Sequence, residues 1–171
     1  MAIELGGVII DQSKDSAPTN FPYLNAAVID DFLAVLEEIQ NAGGIRGTPM
    51  GRLGVNELFR TFETQVEYYK QYKANIAAQN AGKPKPYPRI AKAAKVTEDD
   101  CPGTSNHGAG FSVDTSDYAK KVRNGRSVEQ VFNKHGFYRN EPNDPPHFNY
   151  KTKPTHQQKL DAQDYYRNCL K

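Results

Sequence analysis

Apolar residues recur at three- and four-residue steps through Val28, Ile29, Phe32, Leu33, Leu36 and Ile39. That spacing predicts an amphipathic helix starting near Leu24, with one stripe turned to a core. Gly43 and Gly44 mark its end. Residues 47–54 read as a turn-rich connection and residues 55–60 as a short strand. Phe62, Val66, Tyr69 and Ile76 then set the buried stripe of a second helix, with Glu63 in the first turn at the positive end of the helix dipole. Arg60 falls at the corner between that strand and that helix. It either pairs with an acid at the surface or is aimed rigidly into a cleft.

Further along, the period changes to two. In residues 110–114 Phe111 and Val113 share one side, and Gly110, Ser112 and Asp114 share the other. In residues 147–150 the same alternation sends Phe148 and Tyr150 to the core and His147 to the opposite face. Between these strands, Ser127 and Gln130 have capping-box spacing and open a short helix that stops at Gly136. His135 lies at its C-terminus, where a local structural role is expected. Pro154 and Thr155 start a C-terminal helix, with Thr155 and Gln158 as a second capping box and His156 exposed in the first turn. Residues 1–22 carry Pro18 and Pro22 and read as an extended arm without regular structure. Residues 80–104, with Pro84, Pro86, Pro88 and Pro102, form a long connection. The pattern predicts a single α+β domain over residues 1–171, with a small antiparallel sheet flanked by helices.

Composition narrows the partners. Of 171 residues 37% are hydrophobic, and 10 Tyr and 8 Phe supply much of the packing material in the absence of Trp. Mean hydropathy is −0.75, so the surface is polar. A net charge of +2 is far from the basic excess that binding a phosphate backbone requires, which argues against nucleic acid as the main partner. No run is apolar enough for a membrane span, and the N-terminus lacks the pattern of a secretory signal, so synthesis in the cytoplasm is expected. Lys83, Lys85, Arg89, Lys92 and Lys95 make the first half of the long connection basic, and Glu98, Asp99 and Asp100 make its end acidic. This is either a solvated loop or a flap beside a cleft. Cys101 and Cys169 are either two thiols or one bridge.

The chemistry-bearing stretch is Gly103 to Asp114, which sets His107 and Asp114 seven positions apart among small residues. Zinc accepts such nitrogen and oxygen donors, and His147 offers a third. Three protein ligands leave a fourth position for water, the catalytic arrangement. Asp144 stands three residues before His147, and Glu141 is a competing acid six residues before it.

These residues resemble the lysostaphin, D-Ala-D-Ala metallopeptidase and hedgehog group of zinc proteins, whose signature is Ser-x-His-x-x-Gly-x-Ala-x-Asp followed later by an acid, two residues and His. Here the first part runs from Ser105 through His107 and Gly110 to Asp114, with Ser112 where Ala is usual. The second part is Asp144-Pro145-Pro146-His147, where many members have Glu first and Trp before the His. Arg60-Thr61-Phe62-Glu63-Thr64-Gln65 is similar to the group's Arg-Ser/Thr-x-x-x-Gln corner. The likeness covers residues 24–150. It implies a hedgehog/D-Ala-D-Ala peptidase-like fold, with one zinc on His107, Asp114 and His147 and with Asp144 as the base. Arg60 would stabilise developing charge or hold a substrate carboxylate. Ser105 would orient His107 or bind substrate, and Gln65 would contribute to substrate binding. The implied substrate is the peptidoglycan stem peptide. Asp144 looks like the variant of phage-type L-alanyl-D-glutamate endolysins, with D-Ala-D-Ala carboxypeptidase as the alternative and a non-catalytic zinc-stabilised module as a reading of another class. An enzyme made without a signal would reach the wall by lysis or within a phage-tail or injection-type particle.

Overall fold

The computed structural model describes residues 2–5, 8–11, 23–87, 93, 95, 96 and 101–165, and the statements below concern those residues. The first helix, α1 (Ala26–Asn41), is capped by Asn25, whose side chain accepts the Ala27 N–H. Gly43 and Gly44 follow it with φ of 86° and 89°, a conformation open to glycine that lets the chain turn back at once. Its buried stripe is Val28, Phe32, Val35, Leu36 and Ile39. Leu33, expected on that stripe, is 49% exposed, and Val35 takes its place because the contact face is shifted around the helix axis.

Two strands, β1 (Ala2–Leu5) and β2 (Val8–Asp11), pair antiparallel in the segment expected to be an irregular arm. The second runs parallel to β3 (Leu53–Val55). The strand expected over residues 55–60 thus begins earlier and stops at Val55. Beyond it Glu57 makes a single bridge to Asp114, and the backbone leaves the ladder there to enter α2 (Phe62–Asn80). Thr61 caps α2 by accepting the Thr64 N–H, and Phe62 and Val66 pack with Val96 in a small second cluster. Ile76 is exposed rather than buried, since this half of α2 projects beyond that cluster. Asn75 is buried instead, and its side chain bonds both the N–H and the carbonyl of Tyr87. Residues 88–92, 94 and 97–100 of the long connection lie outside the described residues, as does Cys169, and with it the question of its pairing with Cys101.

The second sheet is antiparallel, in the order β4 (Ser112–Asp114), β6 (His147–Tyr150), β5 (Phe137–Tyr138). Phe111, Val113, Phe148 and Tyr150 point to the core as the alternation requires. There the helix α3 (Val128–Lys134) brings Phe132 to 4.3 Å from the Phe148 ring and 6.3 Å from Phe32 on α1. Ser127 and Gln130 form the expected capping box. The last helix, α4 (His156–Tyr165), opens with Thr155 and Gln158 bonded reciprocally to each other's backbone N–H. Four helices and a small three-stranded antiparallel sheet make the α+β class. No helix is long and apolar enough to cross a membrane.

One polar cluster clamps α1 to α3. Glu38 accepts from Arg126 at 2.8 Å, Lys134 at 2.9 Å and His135 at 2.7 Å, which gives His135 the structural role expected of it. The Lys134 hydrogen bond outweighs burial, which acts the other way, and pulls the Glu38 pKa below the ordinary glutamate value. A depressed folded-state value means the contribution is complete above about pH 4.3 and is lost as pH falls through the folded-state pKa. Glu38→Gln should therefore cost about 1 kcal/mol at neutral pH in urea unfolding, because partly exposed pairs are screened. The difference should shrink toward zero below about pH 4, and a gap that stays constant to pH 3 would contradict the assignment.

Candidate metal centre

Strand register builds half of the site. Asp114 of β4 lies directly across from His147 of β6, and Ser112 across from Asn149. Cross-strand partners share a face, so both pairs stand opposite the aromatic core. The third member arrives from a tight 3-10 turn, Asn106–Ala109, that carries His107. Gly110 ends that turn at φ 70°, and its carbonyl takes the Asn25 N–H at 3.0 Å. A Cβ there would lie 2.9 Å from the Asn25 nitrogen, so glycine is required both for its conformation and for the close approach.

The three side chains meet. His107 Nε2 is 3.1 Å from Asp114 Oδ1 and 3.1 Å from His147 Nδ1, and His147 Nδ1 is 2.9 Å from Asp114 Oδ1. Both imidazoles are buried, His107 to 1% exposure. The outer ring nitrogens decide what the inner ones carry. His107 Nδ1 lies 2.6 Å from the Leu58 carbonyl, which can only accept, so that nitrogen holds the proton. His147 Nε2 lies 2.9 Å from Asn149 Oδ1 and holds its proton for the same reason. With both rings neutral, two nitrogen lone pairs and a carboxylate oxygen face one another, and either a proton on His147 Nδ1 donated to Asp114 or a metal cation relieves the repulsion. A tetrahedral ion with arms of about 2.0 Å has edges of about 3.3 Å, close to the three separations found here. His107, Asp114 and His147 are the residues that could hold one metal ion.

The electrostatics agree. Burial alone would raise the Asp114 carboxyl, but the His107 and His147 imidazoles overcome it and hold the group well below the usual carboxylate range. Burial opposes charge on His147, yet the Asp114 hydrogen bond and charge push its pKa above the ordinary histidine value. The ring centroids are only 4.9 Å apart, so two imidazolium rings side by side would repel.

Asp144 lies at the rim. The residue is exposed, while its carboxyl is partly enclosed. That enclosure first, and the Asp114 charge second, raise its pKa, and it also feels His147, His107 and Arg60. Its backbone closes the turn into β6, the Asp144 carbonyl taking the His147 N–H at 3.0 Å. Glu141, the competing acid, is exposed at the start of that turn, and its carbonyl takes the Asp144 N–H.

Arg60 is turned inward. Its Nε and Nη2 donate to the two oxygens of Glu57 at 2.6 and 2.5 Å, its Nη1 donates to Gln65 Oε1 at 2.6 Å, and the group lies 4.9 Å from the Tyr68 ring centre. Burial works against the charge, and the Glu57 carboxylate outweighs it, keeping Arg60 firmly protonated. A two-pronged grip on a substrate carboxylate by that same edge would require Glu57 to give way. Gln65, expected to touch substrate, is 2% exposed and stands behind the guanidinium. Ser105 gives its carbonyl to the Gly108 N–H. Both His107 ring nitrogens are otherwise committed, so the Leu58 carbonyl orients that ring and Ser105 does not.

Several contributors were not foreseen. Asn149 Oδ1 also accepts from Asn106 and Ser112, and its Nδ2 donates to Asn140 at 2.6 Å. Its signal was present, since period two puts it on the His147 face. Glu57 and the Leu58 carbonyl gave none, because the bridge to Asp114 that brings them in depends on tertiary pairing. No family model matches the chain, and no curated protein or solved structure matches it.

Purified protein should take up one divalent metal ion per chain, and His107→Ala, Asp114→Ala and His147→Ala should each lower that content. Asn149→Leu, which removes the acceptor that fixes the His147 tautomer, should weaken metal binding about 10- to 100-fold in a competition titration. Unchanged affinity would show that the amide does not set the ligand.

Proposed function

We propose that the chain is a zinc-dependent peptidase of the peptidoglycan stem peptide, most closely resembling the L-alanyl-D-glutamate endopeptidases among the lysostaphin, D-Ala-D-Ala metallopeptidase and hedgehog group. The observation that carries the reading is the pairing of a three-ligand cluster with a separate carboxyl of raised pKa beside it. A purely structural zinc site is closed by four protein ligands, whereas among the described residues three donors converge and an acid stands at the rim. The preference for the L-Ala-D-Glu bond rests on aspartate, rather than glutamate, at position 144.

Bound zinc would supply Lewis acidity and a lowered pKa for water. The chain's own residues do the rest. Asp144, at the rim beside the cluster, accepts the proton of the attacking water and returns it to the departing amine. Arg60 acts as a fixed positive charge near the site, offsetting the negative charge that develops on the substrate oxygen. Glu57 and Gln65 keep that charge in place. Asn149 and the Leu58 carbonyl hold the imidazoles in the tautomers that present lone pairs inward. Ser105, half-buried beside His107, is the remaining candidate to touch the peptide. Action on the wall would follow lysis, injection or delivery within a phage-tail-like particle.

Asp144→Ala should retain zinc and lose hydrolysis by at least about 100-fold, the usual scale for removing a general base. Release of new amino groups from purified peptidoglycan, with mass spectrometry of the fragments, reads both the rate and the bond. Wild-type turnover in that variant would remove Asp144 from the mechanism, and intact peptidoglycan after incubation with zinc-loaded wild type would leave a binding module instead.

A further inference from the structure

The resemblance that points to the metal site stops at residue 150, yet a side chain of the last helix reaches the site's supports. Gln163 on α4 is 1% exposed and spends its whole amide on backbone. Its Oε1 accepts the Phe62 N–H at 2.8 Å, and its Nε2 donates to the Arg60 carbonyl at 3.0 Å and to the Gly108 carbonyl at 2.9 Å. Phe62 is the first residue of α2, whose N–H has no partner within the helix. Gly108 lies in the turn that carries His107. One amide therefore ties the corner at residues 60–62 to the turn at residues 106–109.

These two segments position the buried imidazole. The His107 ring is set by the Leu58 carbonyl, two residues before Arg60, and the Arg60 N–H returns a bond to the His107 carbonyl at 3.0 Å. If the corner slides against the turn, the Leu58 carbonyl leaves His107 Nδ1 and the ring is free to rotate its lone pair away from Asp114. A second side chain reinforces the clamp, since Lys159, one helical turn before Gln163, donates to the Thr104 carbonyl at 2.9 Å. From this geometry we infer that Gln163 is a positioning residue for His107, and that α4 belongs to the metal-binding unit. The inference rests on the metal-site reading, but not on peptidase activity.

The test compares wild type, Gln163→Met, which keeps the volume and removes the amide, and Ala162→Gly, which perturbs the buried neighbour without touching the clamp. In histidine-15N-labelled protein without metal, the His107 Nδ1–H bonded to Leu58 should give a downfield, slowly exchanging signal in wild type and Ala162→Gly. In Gln163→Met that signal should broaden or vanish, and zinc affinity should fall about tenfold, the low end of the effect of supporting contacts. A folded Gln163→Met with the wild-type signal and with affinity within twofold overturns the inference. So does a Gln163→Met that fails to fold while Ala162→Gly folds, provided Gln163→Asn, which keeps a shorter amide, folds with the wild-type signal and affinity or also fails to fold. A folded Gln163→Asn that has lost the signal supports it. Wild type that takes up no zinc refutes the metal site itself, and the nitrogen-bound proton still reports separately on Gln163.

Discussion

The candidate site depends on two imidazole nitrogens and one carboxylate oxygen being brought to a single spot, where they could hold one metal ion. His107 Nε2, His147 Nδ1 and Asp114 Oδ1 lie 2.9 to 3.1 Å apart. The protein holds them there by backbone means. Register across β4 and β6 delivers Asp114 and His147 as a cross-strand pair, and a tight turn closed by a left-handed glycine delivers His107. A one-residue slip in that register would turn Asp114 away from the site and toward the aromatic core.

Around the cluster, buried polar groups are satisfied in a chain rather than singly. The Leu58 carbonyl and Asn149 take the outer imidazole protons, Asn106, Ser112 and Asn140 hold Asn149, and Glu57 and Gln65 hold Arg60. Each link fixes the next, so the donor set is preorganised without help from a ligand. The cost is a region of low tolerance, because losing one partner leaves another polar group buried and unpaired. The glutamine of α4 extends the same logic to the end of the fold by binding only backbone.

Much of this was legible in the chain. Period two separated His147 and Asp114 from the aromatic core, since a strand has only two faces, although the strand expected over residues 110–114 begins at Ser112 because Gly110 instead closes the preceding turn in the left-handed conformation. The capping boxes at Ser127 and Thr155 named the starts of two helices through local chemistry alone. Failures came where tertiary contact decides. Leu33 and Ile76 fit a helical stripe but are exposed, the strand at residues 55–60 became a single bridge, and the arm acquired partners by pairing with β3. Arg60 lies just before α2, as expected, but no strand leads into it, and its salt bridge to Glu57 could not be read from spacing that fits several acids equally well.

The most direct test is crystallographic. Crystals of the zinc-loaded protein, with data collected on both sides of the zinc absorption edge, should show one anomalous peak about 2.0 to 2.2 Å from His107 Nε2, His147 Nδ1 and an Asp114 oxygen. A peak bound through His107 Nδ1, or one lying away from these three residues, would contradict the account.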